Sequence, residues 1–149
     1  MDRAPYYVID DVITAEEVAT YLDLVKRSPL KQGNENHPDF TAAFWSRHAT
    51  RLAELGFTGI LPTVTVSKNK SPLPRHTDQR IGAGTYKVLI YLNEVPAGGT
   101  VFYLPGGWEE LVENRVGRMV LFDIGLPHAS QVFSRRGDRM KYTIGFRIF

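Results

Sequence analysis

A mainly β fold, closed as a sandwich or barrel with helices flanking it on the N-terminal side, is what the order of segments along this chain predicts. Up to Gly56 the apolar residues recur at helical spacing, and beyond it they fall in short β-branched and aromatic runs separated by Gly, Pro and Asn. No repeat, linker or low-complexity tract divides the two parts, so the helices are expected to pack on the outside of the β region. At 149 residues the chain is long enough to bury a core without metals or disulfides. The expected organisation is one domain over 1–149, with a helical flank over 1–56 and a β core over 57–149.

The first expected element is a short strand in YYVI, residues 6–9. A helix follows, because Thr14 with Glu17 three positions later forms a capping box and Val18, Tyr21, Leu22 and Val25 recur on one face. Residues 30–40, LKQGNENHPDF, are polar and rich in turn formers and read as a surface loop. Helical periodicity resumes in TAAFWSRHATRLAEL, through Phe44, Ala49, Leu52 and Leu55, and stops at Gly56. The β part is expected in ILPTVTVSK, TYKVLIYLNE, TVFYL, RMVLFDI, HASQVF and KYTIGFRIF.

Composition narrows the chemistry. Cysteine is absent, which excludes disulfides, iron-sulfur clusters, thiolate zinc sites and cysteine nucleophiles, and leaves His, Asp and Glu as metal ligands. The first dozen residues carry acidic side chains and no long apolar run, so neither a signal peptide nor a membrane span is expected, and the chain reads as soluble and cytoplasmic. The net charge of +2, with 18 cations interspersed among 16 anions, permits nucleic acid as a partner without indicating it.

Four histidines exist, at 37, 48, 76 and 128. His37 falls in the polar loop and His48 in the second helix. His76 and Asp78 stand two positions apart in PRHTDQR, a relation that in extended chain points both side chains to one face, where they can grip one cation. His128 begins a later strand. Two imidazoles and one carboxylate on one face of a metal are the facial triad of non-haem iron(II) oxygenases, which leaves coordination positions open for cosubstrate and oxygen. Alone, the pattern H-x-D also describes a hydrated turn. Lys141 lies thirteen residues after His128, with a turn expected through SRRGD. In a hairpin the two would share a cavity, and a cation opposite the metal is what a dicarboxylate cosubstrate requires.

With these residues in view, the segment from about Pro62 to Phe149 resembles the Fe(II)- and 2-oxoglutarate-dependent oxygenases, prolyl-4-hydroxylase-like branch, through HTD, YKVLIYLNE, GGTVFY, RMVLFDIGLPH and KYTIGFRIF in the family's order. The resemblance implies a double-stranded β-helix, or jelly roll. It implies that His76, Asp78 and His128 are catalytic ligands of Fe(II), and that Lys141 binds the C5 carboxylate of 2-oxoglutarate with Tyr91 reaching the same carboxylate. The implied activity is a dioxygenase that uses O2 to hydroxylate a substrate C–H bond, with a prolyl or other residue of a peptide, or a free amino acid, as first expectation. Gly98 and Gly99 are expected to permit a tight turn or close backbone approach. Val88, Ile90, Phe102, Val120 and Phe122 are expected as the apolar wall of the site.

Arg147 shares a strand face with Lys141 by parity and is a candidate for the C1 carboxylate, for substrate, or for neither. Its spacing from Lys141 is similar to that of paired arginines in the nucleic-acid demethylase branch, so nucleobase or nucleotide oxidation is the enzymatic alternative, with Lys68, Lys70 and Arg75 to meet phosphate. A cupin-like module that binds a metal or small molecule without turnover is the non-enzymatic one. GAGTYK lacks the spacing of a phosphate loop, Ser130 has no G-x-S-x-G around it, Trp45 reads as packing, Trp108 as loop-borne at a cleft, and Asp123 as a strand end.

Overall fold

A computed structural model describes residues 3–69, 73–78, 85–131 and 140–149. In chain order the elements are β1 (Tyr6–Ile9), α1 (Ala15–Arg27), β2 (Gln32–Asn36), α2 (Pro38–Glu54), β3 (Ile60–Asn69), β4 (Tyr86–Tyr91), β5 (Thr100–Leu104), β6 (Trp108–Val112), β7 (Met119–Asp123), β8 (His128–Ser130) and β9 (Lys141–Ile148). A large sheet in the order β1-β7-β4-β9-β3-β2 faces a small one in the order β6-β5-β8. Every pairing is antiparallel. The architecture is the expected jelly roll, with both helices packed on the outside of the large sheet.

The capping box forms: the Thr14 hydroxyl accepts from the Glu17 amide at 3.1 Å, and Glu17 Oε1 accepts from the Thr14 amide at 3.3 Å. The same carboxylate meets the Tyr21 hydroxyl at 3.1 Å, His48 Nε2 at 2.9 Å and Arg47 Nε at 3.1 Å, which ties α1 to α2 and gives His48 a structural place. The second helix starts at Pro38, ahead of the expected Thr41. Proline at the first helical position lacks only an N–H that the helix would leave unpaired anyway.

Two strands were not expected. β2, QGNEN, lies within the segment read as a loop, and β6 begins at Trp108, which therefore opens a strand and is not loop-borne. Both are edge strands, held by main-chain pairing on one side, so neither needs the apolar alternation that marks a strand in sequence. β1 and β2 also show that the first 56 residues supply strands to the large sheet as well as helices. In β3 the register with β9 shifts between Ile60 and Val64, around Pro62, which has no N–H for the ladder.

Period-two alternation divides the large sheet into two faces. Val64, Val66, Val88, Ile90, Met119, Leu121, Ile144 and Phe146 pack with Tyr21, Val25, Phe44 and Leu52 of the helices. Tyr91, Val120 and Phe122 point the other way and meet Phe102 and Val112 of the small sheet. Val88 and Ile90 thus belong to the helix-side core and not to the wall of the site, because their parity is opposite to that of Leu89 and Tyr91.

Candidate metal centre and cavity

The segment carrying His76 runs antiparallel beside β8. His76 N–H donates to the His128 carbonyl at 2.8 Å and His128 N–H donates to the His76 carbonyl at 2.9 Å, a reciprocal bridge that sets the two imidazoles 4.3 Å apart between ring centres. Two residues on, the Asp78 amide donates to the Ile124 carbonyl at 3.0 Å, which keeps the chain extended and turns Asp78 to the face of His76. Ligand atoms of His76, Asp78 and His128 all lie within 4.8 Å of one another.

The hydrogen-bond chemistry of this cluster calls for a cation. His76 Nδ1 lies 2.7 Å from the Pro74 carbonyl and His128 Nδ1 lies 2.9 Å from the Leu126 carbonyl. A carbonyl only accepts, so both Nδ1 atoms carry hydrogen, and in the neutral ring Nε2 presents a lone pair. Burial pushes the His128 pKa down, favouring that neutral form, while its hydrogen bond to Leu126 opposes the shift. Both Nε2 atoms face Asp78 Oδ1, at 3.8 Å from His76 and 3.7 Å from His128. Three electron-pair donors converging without a shared proton are what a divalent metal satisfies, and anchored Nδ1 atoms are the usual way to orient metal-binding histidines. The donor set therefore fits iron.

The cavity over this cluster is lined by His76, Asp78 and His128 on one side and by Thr65, Ser67, Lys87, Leu89, Lys141, Thr143 and Gly145 of the large sheet on the other. Lys141 reaches it from β9, but not through a hairpin with His128: β8 pairs with β5 and β9 with β3 and β4, so the two residues come from opposite sheets. The expected turn SRRGD lies outside the described residues. Lys141 is 6% exposed, and burial alone pulls its pKa down to about 8.

Tyr91 is fully buried with Lys141 Nζ 5.4 Å from its ring centre, and its hydroxyl is engaged with Thr100 Oγ1 at 2.5 Å; burial pushes its pKa up to about 12. Arg147 stands directly across from Lys87 in the β4–β9 register. Gly99 does sit at a close backbone approach, since a Cβ there would collide with the Val112 carbonyl.

Of the basic residues considered for phosphate, Lys68 donates to the Ser28 carbonyl at 2.6 Å and Arg75 lies over the Tyr103 ring at 4.1 Å, while Lys70 is outside the described residues. Trp45 packs against the core, as expected, and Trp108 is 72% exposed.

Lys87 is the residue that sequence reasoning missed. Its Nζ lies 3.6 Å from Asp78 Oδ2, and burial lowers its pKa while Asp78 opposes the shift. A signal existed: in YKVLIY, Lys87 shares parity with Leu89 and Tyr91, which marks a lysine on the face turned inward.

No protein-family model matches the chain, and no curated protein does. Solved structures do. A prolyl-4-hydroxylase from Pseudomonas putida is 18% identical over 97% of this chain and 91% of its own, with a TM-score of 0.68. An oxidoreductase of the 2OG-Fe(II) oxygenase family from Burkholderia pseudomallei is 11% identical over 97% of this chain and 84% of its own, with a TM-score of 0.74. The epimerase SnoN in complex with Fe3+, alpha ketoglutarate and nogalamycin RO is 16% identical over 99% of this chain and 79% of its own, with a TM-score of 0.68. The fold is shared with these oxygenases along almost the whole chain.

Proposed function

We propose that this chain is an Fe(II)- and 2-oxoglutarate-dependent dioxygenase that hydroxylates a substrate C–H bond. The observation that carries the proposal is the convergence of His76 Nε2, His128 Nε2 and Asp78 Oδ1 in a cavity whose opposite side presents a buried lysine. The two histidines and Asp78 hold the iron. Lys141 binds the distal carboxylate of 2-oxoglutarate by charge, and the dry surroundings of its ammonium strengthen that contact. Tyr91 supports Lys141 through its ring and fixes Thr100 at the cavity edge. Iron and 2-oxoglutarate, when bound, supply the oxidation: one atom of O2 enters succinate as the cosubstrate loses carbon dioxide, and the other becomes the new hydroxyl. The chain's part is to place the cosubstrate and exclude water, through Phe122 and Leu89 beside the polar centre.

For the substrate, the prolyl-4-hydroxylase among the similar structures supports a prolyl or other peptide residue, and SnoN with its nogalamycin ligand shows the same fold handling a small molecule. Anaerobic addition of Fe(II) and 2-oxoglutarate to the metal-free protein tests the proposal. A visible metal-to-ligand charge-transfer band requiring both components, absent in His76→Ala, and succinate formed on admitting oxygen are the expected results. Metal and 2-oxoglutarate bound without succinate, across peptide, amino-acid and nucleotide substrates, would instead identify a binding module.

A further inference from the structure

Lys87 has no part in the reading above, yet its amine stands at the metal cluster. The two oxygens of Asp78 are divided between two tasks. Oδ1 faces both imidazoles, at 3.7 and 3.8 Å, whereas Oδ2 is turned to Lys87 Nζ at 3.6 Å and, though buried, has no hydrogen-bond partner. A buried carboxylate oxygen with an amine facing it is a contact that a small rotation of the lysine completes.

The lysine reaches this place by crossing β9 at Gly145. A Cβ at Gly145 would fall 2.7 Å from Lys87 Cε and 3.2 Å from the Val88 carbonyl. Glycine weakens the interior of a strand, and in β9 it opens the passage for the Lys87 side chain.

We infer that Lys87 is a positioning residue: it holds Oδ2 of Asp78 so that the carboxylate offers a metal Oδ1 alone. The inference rests on the metal-site reading above. Its functional consequence follows from counting ligand positions. Two imidazoles and one carboxylate oxygen leave three positions open on a six-coordinate metal, two for a chelating 2-oxo acid and one for oxygen. A carboxylate gripping through both oxygens would take one of the three.

Mn(II) is the probe. Protein carrying aspartate labelled with carbon-13 at the side-chain carboxyl is compared by infrared difference, loaded minus metal-free. The separation of the two carboxylate stretches is wide for one-oxygen and narrow for two-oxygen binding. Water-proton relaxation counts the waters left on the metal. Wild type is expected to show the wide separation, and Lys87→Met the narrow one with one metal-bound water fewer. Lys87→Arg, which keeps a donor, should restore the wide separation. Gly145→Ala, which leaves the amine present but displaces it, should move the spectrum in the direction of Lys87→Met. A wide separation and an unchanged water count in Lys87→Met and Gly145→Ala would overturn the role of Lys87 while leaving the metal site standing. Failure of wild type to bind Mn(II), or equal binding by His76→Ala, would overturn the metal site and this inference with it.

Discussion

The two faces of the large sheet are built from the same strands and do opposite work. On the helix side, Val64, Val66, Val88, Ile90, Ile144 and Phe146 are fully buried in the core that the sheet forms with the helices. One residue along each strand, on the side turned to the small sheet, stand Thr65, Ser67, Lys87, Lys141 and Thr143. The contrast explains how a chain of this size keeps one buried lysine, Lys141, and a second, Lys87, mostly shielded from water. Each desolvated amine costs stability, and the apolar face directly behind it offsets that cost without entering the cavity.

Substitutions on the two faces should therefore separate activity from stability. The largest effect expected is on the cavity side: His76→Ala should lower succinate formation by about a hundredfold or more, since loss of a ligand exceeds the tenfold to hundredfold typical of losing its outer partner. Because His76 is partly exposed, its melting temperature should stay close to wild type. On the helix side, Phe146→Ala removes a ring stacked on Phe44 at 4.4 Å and should cost about 3–5 kcal/mol in denaturant unfolding, leaving the metal ligands in place in the protein that remains folded. If the two readouts fell together in both variants, the division of labour would be wrong.

Lys141→Met isolates the cavity face. It should weaken 2-oxoglutarate binding about thirtyfold or more by calorimetry, as expected for losing one partner of a buried charge pair. Stability of the ligand-free protein should not fall, because a desolvated amine is removed. The same lysine sets a pH dependence. With its pKa pulled down to about 8 from the ordinary 10.5, the folded ligand-free protein binds fewer protons than the unfolded chain between those values, so this group makes stability rise with pH across that window. Affinity for 2-oxoglutarate should move the other way and fall above about pH 8, as the ammonium that receives the carboxylate is lost. Binding that is flat between pH 7 and pH 10 would remove Lys141 from the cosubstrate site. The smallest effect belongs to Tyr91→Phe, which should alter 2-oxoglutarate affinity by no more than about threefold, since the hydroxyl is already engaged with Thr100.

Much of the architecture follows from local rules. The capping box of Thr14 and Glu17 starts α1 because both groups lie within one turn, and TVFYL becomes β5 over the predicted residues because β-branched and aromatic side chains suit a buried pleat. The candidate ligands are legible for a similar reason: His76 and Asp78 are two residues apart, and extended backbone aims them alike whatever surrounds them. β2 and β6 were not legible, since QGNEN and WEELV lack the β-branched and aromatic run that marks YYVI, and as edge strands they are held by main-chain pairing with one neighbour.

Composition, capping and periodicity are properties of neighbours along the chain, and they were enough to place both helices ahead of the main run of strands, to exclude thiolate chemistry, and to leave a small set of histidines and carboxylates from which a metal site could be drawn. It took the folded sheets to show that His128 and Lys141 meet from opposite sheets, that Val88 and Ile90 turn away from the cavity, and that Lys87 crosses Gly145 to Asp78. Those facts depend on which strands lie side by side and in which register, and antiparallel register is set by packing across the whole sandwich, over separations that no local pattern spans.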